Sequence, residues 1–338
     1  MMRRLENYLQ VFKEHLKPYV LDRSYDPSAR ARVVLQPEEH AAQCYVCFTF
    51  HFMKEGKYLK DALERRALIP RYCMEDIEYL NIQVGGMSFP RIAVLQKCFC
   101  DIPFHQLLDA FKLDIVDGEN VPLKDEDRRK LIAGNTHPDF YGKYAIAFSK
   151  RWGERNNLHP IQYVNAHSTY TTEFSKLFPS LWEAEELPES YANDILNRLA
   201  YMKPLRGTMG RVLDGASGER LTIKMWKNFH DEREWRYVPS ARVTGDVEIR
   251  QIIANPSILQ MMFIEDRINE SLSTDRYKSI WLCYNYDDVR YILVPNLQAR
   301  IDTIQTILDI PDDQFVNSEQ KYILISKIVV LDELRKDL

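Results

Sequence analysis

The chain has 338 residues, 45% of them hydrophobic and 28% charged, the balance of a globular protein with room for a sizeable core. Its 45 Lys and Arg stand against 49 Asp and Glu, a formal net charge of −4, which argues against a protein held to nucleic acid by bulk charge. No stretch reaches the ~20 apolar residues needed to span a bilayer, and residues 1–4 lead into amphipathic sequence without a signal peptide's apolar run, so a cytoplasmic protein is expected.

Residues 3–17 place Leu5, Tyr8, Leu9, Phe12 and Leu16 at helical spacing, and Pro18 ends that helix. The polar stretch 22–42, with Pro27 and Pro37, reads as a connector. Residues 1–42 are therefore expected to form a helical appendage and 43–338 the main domain. The apolar run 44–52 reads as a central strand, broken at Gly56. Residues 58–67 read as an amphipathic helix with Leu59, Ala62, Leu63 and Ala67 along one face. A short helix over 74–80, a turn at Gly85-Gly86, a strand over 94–100, a helix over 104–111 and a charged exposed segment over 114–130 follow. Strands are expected at 144–148, 161–164, 234–238, 247–253 and 322–330, and helices at 169–187, 190–202 and 301–308. The Gly-rich stretch 207–218 lacks the spacing of a dinucleotide loop and reads as a surface loop. Strands this irregularly spaced do not make a doubly wound sheet. They point to an α+β domain with a mixed, mainly antiparallel central sheet and peripheral helices.

Six cysteines are present, and Cys44 and Cys47 have C-x-x-C spacing with His51 close behind. Strand geometry sends positions 44 and 47 to opposite faces, and no turn residues lie between them. Buried reduced thiols are expected, with no metal.

Four places carry residues suited to chemistry. His51 ends the first apolar strand, with Arg71 beyond the following helix; an imidazole there can hold a ligand hydroxyl and a guanidinium can grip a phosphate. Asp101, after the 94–100 strand, is read as a cap for the helix at 104–111. Tyr141 and Tyr144 flank Gly142, which permits a sharp turn, and either ring can stack on a planar ligand or pack in the core. Finally, Phe229-His-Asp-Glu-Arg-Glu-Trp-Arg236 reads as a strand with Glu232, Glu234 and Arg236 on one face and Trp235 buried on the other. Two carboxylates so placed repel, which raises one pKa unless Arg236 offsets it.

The order of these blocks is informative. His51-Phe-Met-Lys, Leu59-Lys-Asp-Ala-Leu63 and Ile69-Pro-Arg-Tyr-Cys-Met-Glu-Asp76 come first, then Cys98-Phe-Cys-Asp-Ile-Pro103. Tyr141-Gly-Lys-Tyr-Ala-Ile-Ala-Phe-Ser-Lys-Arg-Trp-Gly153, Pro160-Ile-Gln-Tyr-Val-Asn165 and Asp231-Glu-Arg-Glu-Trp-Arg-Tyr-Val-Pro239 follow. This succession, spanning roughly residues 44–330, resembles the AbiGi family, described as antitoxins of bacterial abortive-infection systems against phage. The resemblance implies a role in phage defence, with a non-catalytic protein that restrains a toxin partner of nucleotidyltransferase-like type as the alternative to catalysis. A more distant similarity is to ADP-ribosyltransferase-like folds, with their split sheet. It implies NAD as substrate and transfer onto a macromolecule. His51 would then hold the ribose, Tyr141 or Tyr144 would frame the nicotinamide, Arg71 and Arg236 would assist, and Glu232 or Glu234 would be the catalytic carboxylate. A third arrangement, Asp101 with both glutamates around a divalent metal, requires those carboxylates to converge.

Overall fold

A computed structural model describes residues 48–84, 87–109, 111, 113–116, 136–182, 194, 195, 197–214, 220–240, 249–254, 258 and 267–337. The fold below is that of the unit beginning at Val46. The appendage over 1–42, Cys44, Cys47, the turn at Gly85-Gly86 and residues 117–130 lie outside the described residues.

The first apolar run gives β1 (Phe48–Met53). Next comes α1 (Gly56–Arg65), which buries Leu59, Ala62 and Leu63 and stops at Arg66 in the left-handed region, φ 51°. Strands β2 (Arg71–Asp76), β3 (Arg91–Cys100) and β4 (Leu113–Val116) follow. Helix α2 (His137–Tyr141) opens on a Thr136/Asp139 capping box. Gly142 then turns the chain at φ 121° into β5 (Tyr144–Ser149). The Ser149 hydroxyl caps α3 (Lys150–Arg155). The chain continues through β6 (Leu158–Pro160), β7 (Gln162–Val164), α4 (Thr169–Trp182), β8 (Met202–Pro204), β9 (Arg206–Asp214), β10 (Arg220–Asn228) and β11 (Glu234–Tyr237). It closes with β12 (Val289–Val294), α5 (Leu297–Asp309), α6 (Ser318–Ser326), β13 (Ile328–Val330) and α7 (Leu331–Asp337).

Among the described residues, nine strands form the central sheet in the order β13-β12-β5-β1-β3-β11-β6, with β2 and the short strand Ile252–Ile253 paired to β3. Every pairing in it is antiparallel except β12 with β13, the mixed, mainly antiparallel α+β arrangement expected. Alternation along the strands fills two layers. Ile146, Phe148 and Ile292 face Leu63 of α1, Trp152 of α3 and Ile307 of α5. Phe50, Ala145, Ala147 and Leu293 face Leu107 and Leu331 on the other side. A second sheet, β9-β10-β4, is antiparallel throughout.

Several local expectations change. Residues 74–76 extend β2 instead of starting a helix, because Tyr72 and Met74 alternate into an apolar cluster with Ala93 and Leu95; only Glu78–Leu80 is helical, as one 3-10 turn. The helix expected over 104–111 is a 3-10 turn at Phe104–Gln106. The Gly-rich loop expected over 207–218 is largely strand β9, paired residue for residue with β10, and the ladder outweighs the glycines' weak strand preference. The 322–330 strand is mostly helix α6, capped by the Asn317 side chain, and only Ile328–Val330 is extended. Of the 247–253 strand, Ile252–Ile253 pairs.

Candidate functional site

The Phe229–Arg236 segment is not a continuous strand. Phe229–Glu232 forms a 3-10 turn, Arg233 takes the left-handed conformation at φ 45°, and extended backbone resumes at Glu234. Glu232 therefore does not share a strand face with Glu234, as alternation alone implied. Arg236 does: its Nε donates to Glu234 Oε1 at 2.6 Å. Trp235 faces the other layer, half-buried against the α1 and α5 core.

The two glutamates meet all the same, through a residue from a distant strand. Lys203 of β8 places Nζ 2.6 Å from Glu232 Oε2 and 3.0 Å from Glu234 Oε2. Lys227 of β10 donates to Glu232 Oε1 at 2.7 Å and to the Tyr141 hydroxyl at 2.6 Å, and that hydroxyl donates to Glu232 Oε1. Lys227 Nζ also lies 3.8 Å from the centroid of the Phe111 ring. Arg236 reaches onward to Glu75 at 3.0 Å and donates to the Ala200 carbonyl at 2.7 Å. Gln96 donates to the same Glu75 oxygen, and the Tyr163 hydroxyl accepts from Glu234 N–H at 2.8 Å. Three carboxylates, Glu75, Glu232 and Glu234, thus balance three cations, Lys203, Lys227 and Arg236. The network is nearly dry: Arg236 is 0%, Lys227 1%, Glu232 3% and Glu234 4% exposed.

Charge compensation sets the protonation states. Burial alone would raise the Glu232 carboxyl, but Lys203 and Lys227 outweigh it and hold it below the ordinary value. Burial is likewise outweighed at Glu234, by Arg236 and Lys203. The raised carboxyl expected for a repelling pair does not arise, because Lys203 stands between the two. Burial opposes the charge on Lys203, yet Glu232, Glu234 and Glu75 carry its pKa well above the usual range. Lys227 is pulled down by burial, with Glu232 offsetting part of it. Burial and the adjacent carboxylate push the Tyr141 phenol up, so it stays a donor. Burial also raises the thiols of Cys98 and Cys100. Every carboxylate oxygen of the glutamate pair has a partner, so the arrangement suits fixed ionised groups better than a general base awaiting a proton.

The other expected site residues are placed differently. Register aligns Phe50, Cys100 and Glu234 across β1, β3 and β11, so His51 points to the opposite face of the sheet from Glu234. Its Nδ1 lies 2.8 Å from the Cys98 carbonyl and its ring packs on Phe99. Burial holds its pKa well below the usual value, so it is neutral. Tyr144 lies opposite Met53 and lines a separate cavity of about 250 Å³ between α1 and α5. Arg71 stands opposite Gln96, four residues before Glu75 on the same strand. Asp101 does not cap a helix; it pairs with Lys150 at 2.5 Å. Among the described residues no three His, Cys, Asp or Glu side chains are grouped for a metal, and the arrangement of Asp101 with both glutamates is not formed. Sequence reasoning missed Lys203, Lys227, Tyr163 and Glu75. Only Lys227 left a readable sign, since it falls midway between Met225 and Phe229, at an inward position of an alternating strand.

No helix among the described residues is long and apolar enough to cross a membrane. No solved structure matches the fold. Residues 132–295 match a family model described as "Putative abortive phage resistance protein AbiGi, antitoxin". A protein named Abortive phage resistance protein AbiGi, from Lactococcus lactis subsp. cremoris, is 31% identical over 283 residues, covering 80% of this chain and 99% of that protein. The chain belongs to the AbiGi family of abortive phage resistance proteins, and its setting is phage defence.

Proposed function

We propose that this protein acts in phage defence as an antitoxin that binds and restrains a toxic partner, and that it does so without NAD chemistry. The observation carrying this reading is an apolar stripe on the outside of α5. Leu297, Ile301 and Leu308 fall within about 40° of one another around the helix and extend over about 16 Å of its length. They are 58%, 52% and 42% exposed, while Ala299, Thr303 and Ile307 bury the opposite side. Tyr322 and Ile323 of the adjoining α6 are exposed as well. A contiguous apolar surface of this kind marks an interaction site, and the family description supplies the kind of occupant: a toxin. The fully partnered glutamates and the opposite-facing His51 support the same reading, since side chains on opposite faces of a sheet do not line one cleft.

The test is a growth assay with the nucleotidyltransferase-like toxin of the same defence system. Wild-type protein should rescue growth and co-purify with the toxin. The L297E/I301E/L308E variant, folded, should do neither, and neither protein should consume NAD. Rescue by the variant equal to wild type, or NAD consumption lost with Glu234→Gln in a folded protein, would overturn the reading. Dissociation of a homodimer by the same substitutions would give the stripe to a second copy of the chain.

A further inference from the structure

A second cavity, of about 450 Å³, opens where the C-terminal ends of α1 and α3 meet the 3-10 turn Asp275–Ile280 and the segment 283–288. It shares no lining residue with the glutamate network. Its wall carries four cations, Arg65, Arg66, Arg155 and Lys278, against a single acid, Asp288. That is a local excess of positive charge on a chain whose formal net charge is −4.

The partners of these groups show which charges are free. Arg65 is held by Asp61 at 2.5 Å, one turn back on α1. Arg66 donates to the Gln314 carbonyl at 3.3 Å and lies over the Tyr286 ring. Asp288 is engaged by the Asn285 backbone N–H at 2.9 Å. Arg155 and Lys278 are exposed and make no ion pair among the described residues. Cations at helix C-termini complement the helix dipole, which accounts for one basic residue at each of α1 and α3. Lys278 likewise lies in the last turn of its short 3-10 helix, but helix ends do not account for the convergence of all four cations on one concave surface. The floor beneath them is apolar, formed by the buried Trp152 and Tyr284. A cavity of this size with an apolar floor and a few convergent polar groups is the usual form of a small-molecule site. Guanidinium and ammonium groups are the donors that phosphate oxygens take.

We propose that this pocket binds a phosphate-bearing ligand of mononucleotide size, with Arg155 and Lys278 gripping the phosphate and Arg65 and Arg66 completing the positive wall. The phosphate belongs either to a free nucleotide or to the 5′ end of an RNA strand. The pocket does not depend on the restraint of a toxin, and its test reads binding by the isolated full-length protein.

Calorimetric titration with AMP, ATP, adenosine, and 5′-phosphorylated or 5′-hydroxyl tetranucleotide RNA decides the matter. The phosphorylated probes should bind at least about tenfold more tightly than their unphosphorylated counterparts, as charge-assisted bonds to phosphate require. R155E/K278E should lose that difference while unfolding at the wild-type temperature, both residues being at the surface. Cys283, an exposed free thiol in the lining, gives an independent readout. Bound probe should slow its alkylation and leave that of Cys73, exposed elsewhere on the fold, unchanged. Tighter binding of AMP than of phosphorylated RNA assigns the pocket to free nucleotides, and the reverse order to RNA ends. No binding of any phosphorylated probe, equal binding of adenosine and AMP, undiminished binding by R155E/K278E, or unprotected Cys283 would each overturn the proposal.

Discussion

His51 and Glu234 leave opposite faces of the central sheet although only β3 separates their strands. Phe50 pairs with Cys100, and Cys100 pairs with Glu234, so these three side chains share a face. His51, one position on from Phe50, must take the other. No rotamer change closes that gap, because the sheet itself lies between the two groups. His51 is thereby a packing residue, neutral and set against Phe99, and the glutamate cluster is completed by lysines from β8 and β10 instead.

The neutral histidines should make stability fall under mild acid. Burial lowers both His51 and His137, the latter to about 3, with Lys227 adding to the effect there. Each ordinarily titrates near 6.5, so on acidification the unfolded chain takes up protons that the folded chain refuses. Stability is complete above that value and declines as pH drops below it, towards the depressed folded pKa. The slope is at most about 1.4 kcal/mol per pH unit for each histidine. Glu232 and Glu234, held low in the fold, add their loss only below about 4.5. Urea unfolding between pH 7.5 and 5 should show the decline, and H51Q should remove about half of the slope. A flat profile would mean that neither ring is excluded from water.

Neutralising either glutamate should destabilise the protein. Glu234→Gln leaves Arg236, fully buried, with the Glu75 carboxylate at 3.0 Å as its one ionised partner among the described residues, and Glu232→Gln strips Lys227 of its carboxylate. Breaking one side of a buried pair costs about 3–5 kcal/mol, because the remaining charge stays desolvated. The double variant approaches the whole stability of an ordinary domain, about 5–15 kcal/mol. Chemical denaturation measures this directly. A catalytic carboxylate pair predicts the reverse, little change in stability with activity lost, so a variant unfolding within 0.5 kcal/mol or so of wild type would reinstate that role.

The contrast between these residues explains what was readable in the sequence. The apolar runs around Phe50, Val94 and Ile146 announce their strands, because burial on both faces leaves an unbroken hydrophobic signature. Helix α1 is equally plain from Leu59, Ala62 and Leu63. Tyr322 and Ile323 misled, since exposed apolar side chains on α6 mimic strand composition. Arg233 misled differently: a non-glycine residue at positive φ has no sequence signature, yet it ends the continuous strand reading at Glu232. Lys203 was invisible because its partners lie 29 and 31 positions along the chain, and nothing in Met-Lys-Pro announces them.

Gly142→Ala should be among the most damaging single-methyl additions. The turn into β5 holds Gly142 at φ 121°, and a Cβ there would lie 2.0 Å from the Met53 carbonyl oxygen. That oxygen belongs to β1, which is paired along its length with β5, so neither strand can yield without breaking the ladder. Backbone strain and overpacking together cost about 3 kcal/mol or more. Thermal unfolding or soluble yield checks it. The same substitution at Gly56, where the nearest atoms belong to the Tyr144 ring at 3.3 Å, should be far milder.

The two sides of α5 should respond in opposite ways. Ile307 is fully buried in the core shared with α1 and β12, and Ile307→Ala removes that packing at a cost of about 2–5 kcal/mol. Ile301, six residues earlier on the outer side, is 52% exposed, and Ile301→Glu should change stability by no more than about 0.5 kcal/mol. Glutamate is as good a helix former as isoleucine, so backbone propensity does not blur the comparison. Denaturant titration of the two variants reads the difference. A large loss for Ile301→Glu would place that side chain under another part of the chain and leave no stripe for a partner. A small loss, with the partner contact abolished, separates the residues that hold the fold from those that do its binding.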